Sequence, residues 1–369
     1  MLMVQLMYVE KLDITNFRNY ARQSVTLQNG VNVFTGSNGM GKTNLLEAVY
    51  FSSIGRSPRT ARDTELIKWN ENRARISVTC QKDIGDEQVE IILSKSEKKR
   101  VLVNGMPVSR MGELMGVVAT VFFSPTELKI VQGAPSERRS FMDIAICQLS
   151  KAYFYLLTRY QKVLSQRNKL LKNEKLSLEA LDIWDAQLAQ EGAKVIKNRK
   201  GFVKNLAPLA LESHTYLTDN KEELLLSYEG LHGETLEEIQ SEFLLALKKD
   251  RPKDLKLKFT HTGPHKDDLS LKIGAVDLRT FGSQGQQRTT ALSLKLAELQ
   301  LAKLQKGNIP VLLLDDVLSE LDIFRQTKLL TRVQGFQTLI TCTHLEPAVR
   351  DLLGGKITEY KVHEGNVVG

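Results

Sequence analysis

The sequence predicts an α/β protein: a mixed sheet with helices, interrupted by a mainly helical subdomain. Three observations predict it. Gly36-Ser37-Asn38-Gly39-Met40-Gly41-Lys42-Thr43 reads G-x-x-x-x-G-K-T, a complete P-loop, between a strand-like run and a helix-like run. Short alternating or wholly apolar runs, the pattern of strands, recur up to about residue 125 and again after 251. Between about 136 and 250 the texture changes to apolar residues at helical spacing, with Lys and Arg between them. The chain therefore divides into 1–135, a helical insertion or arm at 136–250, and 251–369. The outer two segments should form one domain from distant parts of the chain.

Each element has a local cause. Val31–Thr35 is a short β-rich run and should be a buried strand, and Asn44–Phe51 spaces its apolar residues as a helix. Tyr8–Ile14 alternates like a half-buried strand. The apolar start, Met1–Glu10, lacks a basic segment and a small-residue cleavage site, so it reads as a strand rather than a signal peptide. Phe17-Arg18-Asn19-Tyr20 follows in a loop, and Arg75–Cys80 and Val89–Leu93 are further strands. Asn104-Gly105 between apolar runs marks a hairpin, because both residues tolerate positive φ. Val117–Phe123 is an apolar strand stopped by Ser124-Pro125. Phe141–Leu171 and Leu178–Leu217 are helical blocks, Glu223–Tyr228 a strand, and Leu236–Lys249 a helix. After Arg251-Pro252 the sheet should resume with strands Lys256–His261 and Leu269–Ile273. Helix Gln284–Lys306, strand Val311–Leu314, a helix, strand Thr338–Cys342 and a strand near Thr358–His363 complete the chain.

Composition narrows the classes. With 369 residues, 42% hydrophobic and 25% charged, the chain can bury a sizeable core as an ordinary soluble protein. It has no apolar run of about 18 residues, so no membrane span is expected. The net charge of +8 favours polyanionic partners, either nucleic acid or an anionic membrane. The three cysteines, Cys80, Cys147 and Cys342, form no C-x-x-C pair. So sparse and odd a count fits a reducing cytoplasm and small buried side chains.

A strand, a glycine loop and a helix aim backbone N–H groups and a helix dipole at a phosphate. Lys42 would reach the β and γ phosphates of a nucleoside triphosphate, and the Thr43 hydroxyl would sit on Mg²⁺. Val311-Leu312-Leu313-Leu314-Asp315-Asp316 supplies the carboxylate this needs at the end of a buried strand. Asp315 takes the Mg²⁺ role. Asp316, one residue on, points to the other side and can poise an attacking water. The plainer reading is two acids capping the next helix. Ser319-Glu320-Leu321-Asp322 follows directly, and Thr341-Cys342-Thr343-His344 ends the next apolar strand. That strand should lie beside the Asp315 strand, where His344 could contact the γ-phosphate, although a lone His is more often structural. Ser283 and Gln286 fit a capping box at the start of a long helix, and with Gly285 they make a second anion site. Alone this would be an ordinary cap. Because the P-loop already has its own phosphate cradle, the second site should serve the nucleotide of another subunit.

P-loop, S-x-G-Q, four apolar residues with Asp-Asp, S-x-L-D and a terminal His in that order resemble the ABC ATPase superfamily. The usual signature is L-S-G-G-Q, with Glu after the strand Asp. Here Gly282 and Gln284 replace the first Leu and a Gly, and Asp316 replaces the Glu. Those departures match one branch. Phe17-Arg18-Asn19-Tyr20, Gly55-Arg56-Ser57-Pro58-Arg59-Thr60, Phe123-Ser124-Pro125, Pro135-Ser136-Glu137-Arg138-Arg139, Thr262-Gly263-Pro264-His265-Lys266-Asp267-Asp268 and Ser283–Arg288 all resemble the RecF family. The resemblance implies an ABC-type ATPase head in a cytoplasmic DNA-repair protein. Such a protein binds single- and double-stranded DNA, dimerises with ATP, hydrolyses it slowly, and helps RecO and RecR place RecA after damage. It also implies that Ser283 meets the opposing subunit's γ-phosphate and that Gln132 stands where relatives sense Mg²⁺ and water.

The DNA face is expected to be a collective of basic clusters. Its candidates are Arg56, Arg59 and Arg62; Lys95, Lys98, Lys99 and Arg100; and Lys194, Lys197, Arg199 and Lys200. For any one of these runs a solvated face is the plainer reading. His261 and His265 have no acidic or Cys partner at ligand spacing and read as structural. Two rivals stand. One is the nucleotide-binding subunit of an ABC transporter, which needs a membrane partner and no long insertion. The other is a DNA-binding scaffold that uses ATP only structurally.

Overall fold

Two sheets, rather than one, make up the domain that carries the P-loop. The computed structural model describes residues 7–83, 85–306, 309–352 and 357–368. In chain order the elements are β1 (Met7–Phe17), β2 (Tyr20–Thr26), β3 (Val31–Thr35), α1 (Lys42–Ile54), β4 (Arg73–Lys82), β5 (Glu87–Ser94), β6 (Arg100–Val103), β7 (Met106–Pro107), β8 (Thr120–Phe123), α2 (Lys129–Gln132), α3 (Pro135–Leu149), α4 (Lys151–Leu171) and α5 (Leu178–Thr218). They continue with β9 (Leu224–Glu229), α6 (Leu236–Leu257), β10 (Asp268–Ile273), β11 (Val276–Asp277), α7 (Leu278–Phe281), α8 (Gln284–Lys306), β12 (Val311–Asp315), α9 (Ile323–Arg332), β13 (Thr338–Cys342), α10 (Pro347–Leu352), β14 (Ile357–His363) and β15 (Asn366–Val368). Residues 1–6 of the expected N-terminal strand lie outside the described residues.

The first sheet has the order β2-β1-β4-β5-β6-β7 and is antiparallel throughout. In β1 the buried residues are Met7 and Val9, then Leu12, Ile14 and Phe17, so the alternation changes phase between Val9 and Leu12. The cause is a register shift against β4 between Val9 and Lys11. One extra residue there turns the strand's side chains to the opposite faces. The expected hairpin turn is present, with Asn104 (φ 51) and Gly105 (φ 74) joining β6 to β7.

The second sheet has the order β15-β14-β3-β13-β12-β8, parallel except for β15. Every residue of β12 and β13 is buried, as expected for parallel strands covered on both faces. β8, from before the helical insertion, pairs with β12, from after it. The two outer segments therefore share one sheet. Gln337 ties the sheets together: its side chain accepts from Val9 N and donates to Val9 O, each at 2.7 Å.

From residue 136 onward the structure departs from expectation in three places. The helical block Phe141–Leu171 is two helices, broken at Ser150, whose side chain caps α4 by accepting from Tyr153 N. The expected strand Lys256–His261 is the last turn of α6 and the loop after it. α6 runs through Pro252 to Leu257, and its cap Lys258 lies in the left-handed region (φ 63). The alternation of Lys256, Leu257, Lys258 and Phe259 was misleading because all four are exposed. What holds this segment is Asp254, buried between Arg167 Nη1 (2.7 Å) and His261 Nδ1 (2.8 Å). The boundary at 250 thus falls inside a helix. Finally, β10 joins β9 and β11 in a separate three-stranded antiparallel sheet instead of resuming the main one.

Candidate functional site

The P-loop is shaped from outside by its carbonyls. Gly36 (φ 151), Gly39 (φ 83) and Gly41 (φ 112) lie at positive φ. A Cβ on Gly36 would meet Val362 O at 2.3 Å, and one on Gly41 would meet the Asn19 amide at 2.6 Å. Both positions need glycine for conformation and for space. Met40 O accepts from Asn19 Nδ2 (3.0 Å) and Gly365 N (3.2 Å), and Gly41 O accepts from the Tyr20 hydroxyl (3.1 Å). Holding these carbonyls outward frees the amides at the start of α1 for an anion. Ser37 and Asn38 complete the loop, and Lys42 Nζ donates to Gly36 O (2.6 Å) and Ser37 O (2.9 Å).

Asn19 lies in the two-residue turn between β1 and β2, and Tyr20 opens β2, because Phe17 pairs directly with Tyr20. Arg18, in the same turn at φ 54, makes a two-pronged ion pair with the buried Glu47 of α1, at 2.9 and 2.7 Å. Ser57 Oγ also donates to Glu47, at 2.5 Å, and Arg59 reaches it at 3.4 Å. The hairpin, the P-loop helix and the arginine-bearing loop are thus fixed on one carboxylate. This brace was invisible to spacing rules. Its only local sign is a lone acid inside the apolar run Leu45-Leu46-Glu47-Ala48-Val49.

The strand ends bring the remaining groups together. β13 lies between β3 and β12, so Thr35, Cys342 and Asp315 close the same edge of the sheet. Ligands of parallel α/β sheets bind at this carboxyl edge. Thr43 Oγ1 donates to Asp315 Oδ1 at 2.8 Å, as its expected role requires. Thr341 Oγ1 donates to the same oxygen at 2.8 Å and accepts from Asp316 N at 2.9 Å. Sequence reasoning gave Thr341 no role. Burial pushes the Asp315 carboxyl above its ordinary range, so a cation at that oxygen would be favoured. A hydroxyl and a carboxylate at this spacing are hard oxygen donors of the kind Mg²⁺ takes, and the residues fit that ion.

Asp316 does not continue the strand. It sits in the left-handed region at φ 53, which breaks the alternation that would turn it away from Asp315. Burial lowers the Lys42 pKa. Among the charges opposing that, Asp316 comes first, ahead of Asp315. The Asp316 carboxylate therefore acts on the P-loop lysine. His344 follows β13, beside β12 as expected, but its side chain is 73% exposed and bonds Glu346 Oε1 at 2.8 Å. The Gln132 amide donates to Gln287 Oε1 at 2.7 Å, on the signature helix rather than at the Thr43–Asp315 pair.

The capping box at α8 is formed in full. Gln286 N donates to Ser283 Oγ at 3.2 Å, and Ser283 N donates to Gln286 Oε1 at 3.0 Å. Ser283, Gln284 and Gly285 are exposed, and Phe281 just before them is 75% exposed. Among the described residues no hydrogen bond or ion pair joins Ser283, Gly285 or Gln286 to the P-loop of the same chain.

The charge clusters sort by pairing. Arg199 is buried and doubly paired to Asp143 at 2.9 and 2.8 Å, so it is no surface residue. Lys99 is held by Gly55 O and Asp63. Arg56, Arg62, Lys95, Lys98, Arg100 and Lys197 are exposed. His265 bonds Tyr160 and Thr260 O, and among the described residues no group of side chains could hold a metal through His, Cys and carboxylates. Nor is any described helix long and apolar enough to cross a membrane.

A P-loop and a strand-end carboxylate at one sheet edge, with a separate helix-cap signature, define the head domain of ABC-type ATPases. The RecF/RecN/SMC N terminal domain family model matches residues 8–352. The chain is 44% identical over 364 residues to the DNA replication and repair protein RecF of Lachnoclostridium phytofermentans, covering 98% of this chain and 99% of that one. It is also 44% identical over 361 residues to RecF of Clostridium novyi, at 98% and 99% coverage. The fold matches a structure of the recombination mediator protein RecF with ATP, from the RecFOR pathway, with a TM-score of 0.90 at 34% identity over 98% of this chain and 97% of that one. The Smc head domain of Pyrococcus furiosus shares the fold, at 17% identity and a TM-score of 0.57 over 98% of this chain and 96% of that one. The chain belongs to the RecF family of DNA replication and repair proteins, which sets aside the transporter reading.

Proposed function

We propose that the protein is a cytoplasmic ATP-dependent DNA-binding protein of recombinational repair and replication-fork maintenance. ATP closes a homodimer on single- or double-stranded DNA, and slow, DNA-stimulated hydrolysis reopens it. With RecO and RecR the closed form helps to load RecA. The observation that carries this reading is the exposed anion site at Ser283, complete as a helix cap yet joined to nothing in its own chain's P-loop. Phe281, two residues before Ser283, is 75% exposed, and Ile323 and Phe324 at the start of α9 are 54% and 46% exposed. Arg288, paired with Glu320 at 2.7 Å, links the signature helix to the turn before Ile323. An apolar fringe around a polar site is what a docking face needs.

On this reading Lys42 and the partner's signature serine clamp one nucleotide from opposite subunits. Thr43 and Asp315 hold Mg²⁺, which would supply charge neutralisation at the phosphate oxygens. Asp316 takes a proton from the attacking water, His344 turns from Glu346 to the γ-phosphate on closure, and Gln132 reports nucleotide state to the signature through Gln287. Because each nucleotide touches both subunits, ATP stabilises the dimer in proportion to its preference for that state.

Light scattering on DNA-containing samples with ATP and Mg²⁺, with ADP, or with no nucleotide tests the dimer. Wild type should double in mass only with ATP, and Ser283→Arg should stay monomeric. A wild type that remains monomeric, or a Ser283→Arg that dimerises equally well, sinks the reading. Turnover no higher than that of Lys42→Met would favour the scaffold that uses ATP only structurally.

A further inference from the structure

We propose that Glu222 is a positioning residue for the signature: it sets the orientation of the Gln286 carboxamide and thereby presents Ser283 to the partner's nucleotide. This rests on the in-trans reading above. Glu222 lies outside α8, between the end of α5 and β9. Its Oε1 accepts from Gln286 Nε2 at 2.9 Å, and its Oε2 lies 3.1 Å from His214 Nε2. The other end of the Gln286 carboxamide, Oε1, accepts from Ser283 N.

The donor and acceptor chemistry makes the dependence one-directional. A carboxamide has one donating end and one accepting end. Ser283 N can only donate and an ionised Glu222 can only accept, so together they allow one orientation. A flipped amide would set Nε2 against the Ser283 N–H and Oε1 against the carboxylate, two repulsive contacts. With the amide fixed, Ser283 Oγ accepts from Gln286 N. Its own proton is then free to donate to an anion.

The capping box itself does not require a third side chain. The box that opens α6 uses only two side chains, those of Thr235 and Glu238: Glu238 N donates to Thr235 Oγ1 at 3.1 Å, and Thr235 N donates to Glu238 Oε2 at 3.2 Å, as Glu234 N does at 2.9 Å. There the returning group is a carboxylate, which the helix dipole favours. At α8 a carboxylate in that position would stand beside an incoming phosphate and repel it. The neutral Gln286 avoids that, and Glu222 supplies the orientation from one step behind. Glu222 is anchored in turn by His214, buried on the last turns of α5, whose Nδ1 lies 3.1 Å from Ser293 Oγ on α8. The root of the longest arm helix and the signature therefore share one carboxylate.

The test uses full-length Glu222→Ala and Glu222→Gln. It measures ATP-driven dimerisation by light scattering, affinity for a fluorescent ATP analogue with Mg²⁺ in the dilute monomer, and melting without nucleotide. Glu222→Ala should weaken dimerisation about tenfold per site, the scale for losing a hydrogen bond to a charged group, with monomer affinity and melting unchanged. Glu222→Gln should restore it, because its carboxamide oxygen still accepts from Gln286. The proposal is overturned if Glu222→Ala dimerises like wild type, if Glu222→Gln falls as far as Glu222→Ala, or if the loss tracks a lowered melting temperature. Failure of the wild type to dimerise with ATP would instead overturn the in-trans reading.

Discussion

Gly285 has no reason in its own chain to be glycine. It lies in the first turn of α8, and a Cβ there would meet nothing nearer than Ser283 Oγ at 4.0 Å. Glycine in a helix costs about 1 kcal/mol relative to alanine. On the in-trans reading the missing side chain leaves room for the partner's phosphate. Gly285→Ala should therefore stabilise the nucleotide-free monomer by up to about 1 kcal/mol in urea unfolding, yet weaken ATP-driven association. Normal association would remove that explanation of the glycine. His265 allows a second measurement. Burial pushes its imidazole down to about 4, with the Tyr160 hydroxyl 2.6 Å from Nδ1 and Nε2 3.0 Å from Thr260 O. The unfolded chain, with an ordinary histidine near 6.5, binds the proton first. Stability is full above that pH and falls as pH drops towards about 4, by ~3 kcal/mol across the window. His265→Gln should flatten this part of the melting-temperature profile, and an unchanged slope would refute it. Groups placed by local spacing were legible as geometry: the P-loop, Asp315 at its strand end and the Ser283–Gln286 box. Asn19, Glu47 and Thr341 were not, because each acts on a group that only the tertiary fold brings near.

Elements read well where one cause dominates. The apolar runs of β3, β12 and β13 stood out because parallel strands are buried on both faces, and Asn104-Gly105 because only a tight turn wants two positive φ values. The end of α6 failed because a tertiary contact outweighs its alternation: Asp254 is drawn inward to Arg167. That arginine is fully buried and also holds Asp185 Oδ1 at 2.6 Å and Thr260 Oγ1 at 2.7 Å. One guanidinium thus joins α4, α5, α6 and the loop beyond. Arg167→Leu would leave two buried carboxylates short of a partner, although Arg251 and His261 still reach one each. Breaking a buried pair this way costs about 3–5 kcal/mol. Urea unfolding should show that loss, while affinity for an ATP analogue stays unchanged because, among the described residues, Arg167 makes no hydrogen bond or ion pair to the P-loop. A loss below about 1 kcal/mol, the scale of a surface pair, would mean that the remaining partners compensate.

Across the chain as a whole, the sequence foretold that strands before and after the helical stretch share a sheet, as β8 and β12 do, but not that there are two six-stranded sheets or that β10 belongs with β9. Strand partners far apart in the chain leave no periodic trace. Charge is legible only as a sum. The net +8 pointed to a polyanion, while Arg199 is buried, Lys99 is tied to Asp63, and Arg56, Arg62, Lys95, Lys98, Arg100 and Lys197 are exposed. This yields a prediction that counts contacts rather than naming them. The logarithm of DNA affinity falls with the logarithm of salt in proportion to the phosphates neutralised, by about 0.9 for each one. A monomer offers one set of exposed cations. A symmetric dimer closed on the same duplex offers two. In fluorescence anisotropy over a KCl series, the slope with ATP should be roughly twice the slope with ADP, with little dependence on DNA sequence because backbone contacts carry no base information. Lys42→Met should keep the shallow slope in both nucleotides, since it cannot hold the triphosphate that closes the dimer. Equal slopes with ATP and ADP in wild type would mean that one subunit's cations make all the contacts, and that closure and DNA binding are separate events.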